Sequence, residues 1–320
     1  MAERPAFPDR TLAFCRGEPM TVPTPPVPTA TELHALWAAA WPDMLPHPRG
    51  LEHRLGNGGH WLSRRAPDGT LLAALALRPP EAYAHAHIRL ILVHPDFRRQ
   101  GLGRSLMQEA RERIGPVTVA LGEERGHFLP APTAASLPFF EALGFTRTGR
   151  ESSDMALDLR SPLPAFTVPA GFHVTDASQA GMIPPLLAFA EAVFGPRWKH
   201  DAGAVADRNP SQVLMLMQGP QVAGFALTGL ETDAAVLPSF FFPETLRQAV
   251  GTDDLVGGLG PIGIAPDLRG GGVGSAFMLA AMTHLQARGA QAMAIDWTNV
   301  APFYERLGFR EFVRYFHMRG

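Results

Sequence analysis

The chain has 320 residues, 46% hydrophobic and 18% charged, a globular balance with enough length for two domains. Lys and Arg total 28 against 30 Asp and Glu, a formal net charge of −2, which excludes the broad basic surface that nucleic acid or an anionic membrane requires. The single cysteine, Cys15, excludes an intramolecular disulfide and a thiolate zinc site, so no metal is expected and a reducing cytoplasm fits.

The first ten residues, "MAERPAFPDR", mix charge and proline where a secretion signal needs an apolar core, so the chain reads as cytoplasmic. Residues 31–41 predict a helix capped by Thr31, with Leu33, Leu36 and Trp37 on one buried face. Residues 60–65 and 71–77 predict strands around a Pro67-Asp68-Gly69 turn. A third strand, 85–93, places His85, His87 and Arg89 on one face. That face is expected to be exposed or to meet the second half, with an acid-binding or base role as the alternative. A helix over 102–114 follows. The proline-rich run 160–171 marks a boundary, giving domains 1–162 and 163–320. The longest apolar stretch, 181–194, is broken by Pro184 and Pro185 and is too short to span a bilayer. The second half predicts strands at 213–217, 222–228 and 259–264, a helix over 273–288, a strand at 293–295, a helix over 302–307 and a last strand at 312–318. Each half is mixed α/β.

The halves repeat one another. "LVHPDFRRQGLGRSLM" (92–107) aligns with "GIAPDLRGGGVGSAFM" (263–278) at an offset of 171, and "PFFEALGF" (138–145) with "PFYERLGF" (302–309) at an offset of 164. Two matches in the same order, near half the chain length, indicate a duplicated domain. Between the Gly69 and Gly219 turns the offset is 150, so the second half gains 21 residues before its loop, where "LPSFFFPETLRQAV" falls. Its phenylalanines need burial, which predicts a short helix over the acceptor side of the second site or at the domain interface.

Each repeated loop leaves a strand, turns at Pro-Asp and enters a helix through glycines. Backbone amides without neighbouring Cβ atoms, at a helix's positive end and beside arginine, form a cradle for pyrophosphate. No G-x-x-x-x-G-K-[ST] occurs, and Gly258, Gly260 and Gly263 spell G-x-G-x-x-G inside a strand, where they read as close strand packing.

The order strand, V-x-P-x-x-[RQ]-x-x-G-x-[GA], helix and F-[FY]-E-x-L-G-F resembles the GNAT superfamily of acyl-CoA-dependent N-acyltransferases, in a tandem layout similar to the mycothiol synthases. The resemblance implies two tandem α/β (mixed α+β) domains, each a mostly antiparallel mixed sheet flanked by helices and split between two strands for the pantetheine arm. It implies acetyl-CoA as cosubstrate, held by Ile264, Arg269, Gly270, Gly271, Gly272, Val273 and Gly274 in the second copy and by Val93, Arg98, Arg99, Gln100, Gly101, Leu102 and Gly103 in the first. It also implies a small-molecule amine as acceptor, with a sugar-thiol precursor as one alternative and acyl-CoA sensing without turnover as another. Family members commonly protonate the departing thiolate with a tyrosine, a place filled by Tyr304 in the second half and by Phe140 in the first. A phenol of reference pKa near 10 stays protonated at neutral pH and can donate to a thiolate of reference pKa near 8.5. The first domain is therefore expected to be non-catalytic. Trp297 occupies the place where the family often has asparagine, with Asn299 two residues later, and Thr133 holds it in the first half. Strand 255–264 carries no acid or histidine to act as base, leaving Glu231, Asp253, Asp254 or Asp296 through water, each of which reads first as a surface or capping carboxylate.

Overall fold

The computed structural model describes residues 27–56, 58–80, 85–122, 132–233, 237, 239 and 241–320. Cys15 and the amino-terminal stretch lie outside them, as does Phe240 of the phenylalanine run.

Helix α1 (Ala30–Ala40) begins at Thr29, whose hydroxyl accepts the Glu32 amide at 3.2 Å while the Glu32 carboxylate accepts the Thr29 amide at 2.8 Å. The expected cap, Thr31, is instead inside the helix, because only Thr29 has an acid three residues later to close a capping box. Helix α2 (Pro48–Gly56) follows, then strands β1 (His60–Arg65), β2 (Leu71–Arg78) and β3 (Ala86–Val93), helix α3 (Leu102–Ile114), β4 (Val119–Leu121), the short α4 (Leu137–Glu141) and the long β5 (Thr146–Asp158). The second half runs β6 (Phe172–Asp176), α5 (Ile183–Phe194), α6 (Pro196–Ala206), β7 (Val213–Gln218), β8 (Gln221–Leu230), α7 (Pro243–Val250), β9 (Val256–Ile264), α8 (Val273–Ala287), β10 (Ala292–Thr298), α9 (Ala301–Glu305) and β11 (Arg310–Arg319).

All these strands form one sheet, in the order β1-β2-β3-β4-β11-β5-β10-β9-β8-β7-β6. Pairing is antiparallel except for β3 with β4 and β9 with β10. The final strands are exchanged between the halves: β5 lies between β10 and β11, and β11 lies between β4 and β5. Hydrophobic cores follow the exchange, with Met155, Leu157 and Leu159 packed among second-half residues.

Two features place the site. The parallel pairing of β9 and β10 runs from Val256 with Ala292 to Leu259 with Ile295, and ends there. Beyond it the strands part at Gly260 and Asp296. The second-half insertion supplies α7 and, just before it, Phe241 and Phe242, both buried against Trp37 of α1 at ring distances of 6.2 and 6.0 Å. His47 donates its amide to the Phe241 carbonyl at 2.7 Å, and Arg49 donates to the Glu231 carbonyl at 2.6 Å. The insertion thus fastens α2 to the second half.

Candidate active site

The parted strands open onto a cleft of about 1790 Å³. Ile264 ends β9 at its edge. Gly270, Gly272 and Gly274 line it beside Arg269, with Phe303 and Tyr304 on α9. Gly270 and Gly272 have φ of 84° and 83°, a left-handed backbone that side chains rarely adopt, and a Cβ at Gly270, Gly271 or Gly272 would meet open space. No side chain caps α8 at Gly272, and Gly272, Gly274 and Ser275 of its first turn line the opening. Val273 turns its side chain into the core and contributes only backbone. A loop whose amides are open and whose glycines leave room for a bulky anion fits the pyrophosphate of coenzyme A.

The first copy shares the uncapped left-handed glycine, Gly101 at φ 85° with open space for a Cβ, but differs around it. None of its predicted residues, Val93, Arg98, Arg99, Gln100, Gly101, Leu102 or Gly103, lines this cleft. Arg98 donates to the Ala40 carbonyl at 2.7 Å and to the Val93 carbonyl at 3.3 Å, so its guanidinium joins the loop to α1. Gln100 donates to the Asp96 carbonyl at 3.0 Å. The Phe139 ring lies 3.1 Å from where a Cβ on Gly103 would stand, whereas the equivalent Phe303 lines the second cleft. Arg99 adopts φ 61° where the second copy has Gly270.

At the back of the cleft, β10 carries one extra residue against β5: Ile295 pairs with Met155, and Thr298 with Ser153. The bulge forces Trp297 to φ 46° and re-aims Asp296 into the cleft. The Trp297 amide, lifted out of the ladder, donates to Asp154 Oδ1 at 2.7 Å, and the Tyr315 hydroxyl donates to Asp154 Oδ2 at 2.6 Å. Burial, reinforced by the Asp296 charge, pushes the Asp154 carboxyl up to about 7. Asp296 is also raised, chiefly by burial, with the Arg54 guanidinium opposing. Burial and then the Asp296 charge push the Tyr304 phenol up to about 12. Tyr304 is 7% exposed, edge-on to Phe303 and Phe309. It is at once a core aromatic and a cleft residue.

Of the other candidate bases, Glu231 pairs with Arg247, and Asp253 and Asp254 are exposed; none lines the cleft. The face expected to be exposed on β3 is buried: Arg89, 1% exposed, donates to the Arg54 carbonyl at 3.0 Å and to the Gly58 carbonyl, which fixes the end of α2. Gly258, Gly260 and Gly263 lie inside β9, and a Cβ on Gly263 would come within 2.4 Å of Phe194. Asp154, Tyr315 and Arg54 were not read as site residues from the sequence. Asp154 and Arg54 stand in polar stretches and Tyr315 in a mixed strand, so no local pattern marked them.

Among the described residues no helix is long and apolar enough to cross a membrane, and no group of three or more His, Cys, Asp or Glu could hold a metal ion. The acetyltransferase (GNAT) domain model matches twice, over residues 57–147 and 215–311. The chain is 30% identical to the mycothiol acetyltransferase of Thermobispora bispora, over 76% of this chain and 78% of that one. In fold it is similar to a GCN5-related glucosamine N-acetyltransferase region of a fungal multi-domain GH3 β-N-acetylglucosaminidase, with TM-score 0.75 and 18% identity over 91% of this chain and 37% of that one. It is similar also to a tandem GNAT protein from the clavulanic acid biosynthesis pathway, with TM-score 0.64 and 18% identity over 91% and 94%. With two copies of the domain, two cradle loops and one split sheet, the chain belongs to the GNAT acetyltransferases.

Proposed function

We propose that transfer from acetyl-CoA to a small-molecule amine takes place in the second-half cleft, and that the first-half loop is scaffold. One observation carries this reading: the second cradle, Tyr304 and Asp296 converge on a single opening at the split between β9 and β10.

Arg269 and the amides from Gly270 to Gly274 hold the pyrophosphate, with Ile264 flanking the arm at the end of β9. Bound acetyl-CoA supplies a thioester carbonyl and a sulfur leaving group. Asp296 takes the first proton from the acceptor ammonium, directly or through one water. Its raised proton affinity makes it the stronger base as long as it is ionised. Tyr304 faces the departing sulfur as a donor. A phenol near 12 stays protonated across the physiological range, but it lies above a reference thiol near 8.5, so its main contribution is a hydrogen bond to developing negative charge. The protons balance: one leaves the ammonium through Asp296 to water, and the second leaves the acylated nitrogen and ends on sulfur.

A second reading takes the acceptor to be the one named for the relatives, in mycothiol acetylation, and the 30% identity favours it. The test of the site is calorimetry with acetyl-CoA together with thiol release. Gly272→Val places a Cβ in the cradle at a left-handed φ and should abolish binding at this site. Asp296→Asn should keep acetyl-CoA binding and lose the acid limb of kcat/KM against pH. Unchanged binding in the first variant would remove the cradle assignment, and an unchanged pH profile in the second would remove the base.

A further inference from the structure

Trp297 is held in a backbone conformation that its side chain resists. Its φ of 46° lies in the left-handed region, which a bulky residue keeps only where the surrounding structure enforces it. Groups on the two exchanged strands do so. Asp154 of β5 accepts the Trp297 amide at 2.7 Å and is itself fixed by the Tyr315 hydroxyl of β11 at 2.6 Å. The Trp297 indole donates to His317 Nε2 of β11 at 3.3 Å, with the two rings 18° from parallel. Asp154, Tyr315 and His317 are all buried, so these bonds are strengthened by their low-dielectric surroundings.

The residue before Trp297 takes its aim from this hold. Asp296 closes against Gly260 on the facing strand: its Oδ1 lies 2.9 Å from where a Cβ on Gly260 would stand, so a side chain there would displace the carboxylate. The first half has neither wall. Its parallel pairs, Ala86 with Val119 and His87 with Ala120, are the counterparts of Gly257 with Met293 and Gly258 with Ala294, β3 and β9 being related by the loop offset of 171. In that register Gly260 corresponds to Arg89 and Asp296 to Gly122. Arg89 reaches the Arg54 and Gly58 carbonyls, and a Cβ on Gly122 would come within 2.5 Å of His317 Nδ1. A carboxylate has no place there.

We infer that Asp154 is a positioning residue for the second-half reaction: by accepting the Trp297 amide it holds the bulge that presents Asp296 to the acceptor, with Gly260 as the opposite wall. This rests on Asp296 being the base of the proposed transfer. Asp154 touches no reactant and acts only through Asp296. The first half then contributes to the chemistry through the strand it lends and not through its own loop. Misplacing a reacting group by about 1 Å can cost about 10² in rate, which sets the scale of the effect.

The experiment uses the full chain. The double variant Asp154→Leu, Tyr315→Phe replaces a buried hydrogen-bonded pair by apolar groups of similar shape, a change that can be nearly neutral for stability, and takes the acceptor from the Trp297 amide. Its crystal structure should show Trp297 out of the left-handed region and the Asp296 carboxylate away from Gly260. Thiol release from acetyl-CoA is followed with glucosamine, spermidine and free lysine as probe acceptors. For each one that the parent uses, kcat should fall by about 10², while the calorimetric dissociation constant of acetyl-CoA stays within about threefold. Asp154→Asn keeps an oxygen for the Trp297 amide and should hold the rate within about threefold of the parent, well short of that loss. Gly260→Ala leaves the buried pair intact and should reproduce the loss from the other wall. In an Asp296→Asn background none of these losses should appear, whereas a merely structural defect would lower the rate again. The inference is overturned if the double variant keeps Trp297 left-handed and Asp296 against Gly260, if its loss is as large in the Asp296→Asn background, or if Asp154→Asn shares it. Asp296→Asn with the parent's rate and pH profile would instead bring down the base reading, and this inference with it.

Discussion

Asp154 sits 6% exposed in the middle of the sheet because the β10 bulge leaves the Trp297 amide without a ladder partner, and a carboxylate reaches it. That arrangement links folding to pH. The folded carboxyl titrates at about 7, above its ordinary 3.8, so the fold binds the proton more tightly than the unfolded chain does. Its favourable contribution is fully present below about pH 4 and is lost as pH rises through about 7. At about 1.4 kcal/mol per pH unit, that window spans on the order of 4 kcal/mol. Asp154→Asn cannot ionise, so its urea stability relative to the parent should rise between those limits, and parallel curves would show that Asp154 is not the group responsible. Tyr304→Phe tests the neighbouring phenol. Ring packing is kept, so the single-turnover rate at saturating acetyl-CoA should fall by about 10² or more while the dissociation constant stays put. A rate within about threefold of the parent, far below the effect of a donor aimed at developing charge, would remove Tyr304 from the chemistry.

The two loops place their arginines differently. In the first, Arg98 spends its donors on the Ala40 and Val93 carbonyls; in the second, Arg269 stands exposed at the cleft. Arg98→Ala should therefore lower stability by roughly 1 to 3 kcal/mol, the cost of leaving polar partners unmade, with acetyl-CoA affinity unchanged. Arg269→Ala should do the reverse, raising the acetyl-CoA dissociation constant about tenfold with stability within about 0.5 kcal/mol. Chemical denaturation and calorimetry on the two variants separate these outcomes. Exchanged results would mean that the cradle in use is the first.

Strand exchange makes the halves interdependent. A chain of residues 163–320 lacks β5, so β10 and β11 lose the strand between them and Leu259, Met293 and Ile295 lose Met155 and Leu157 from their cluster. Residues 1–162 alone lack β11, leaving β4 and β5 without their shared neighbour. Each fragment exposes long unpaired edges, which favours aggregation. Expressed separately, they should be poorly soluble and inactive; expressed together, they should recover a complex with transferase activity. A well-folded, active 163–320 fragment would contradict this dependence.

The sequence by itself determined what depends on short spacing. The repeat, the turn-glycine-helix cradle and the contrast between Tyr304 and Phe140 are local patterns, and so are most strands, because alternation and turn residues act over a few positions. Even the Thr29 cap was within reach, since its acid stands three residues on. Only the tertiary structure placed the second loop on the described cleft and tied Arg98 of the first loop to the Ala40 carbonyl, because both depend on long-range packing. It also decided that Asp296 faces the site and that Arg54, from near the opposite end of the chain, stands beside it. A bulge and an exchanged strand made those neighbours, and neither leaves a periodic trace: register and long-range pairing are settled by the sum of contacts across the sheet.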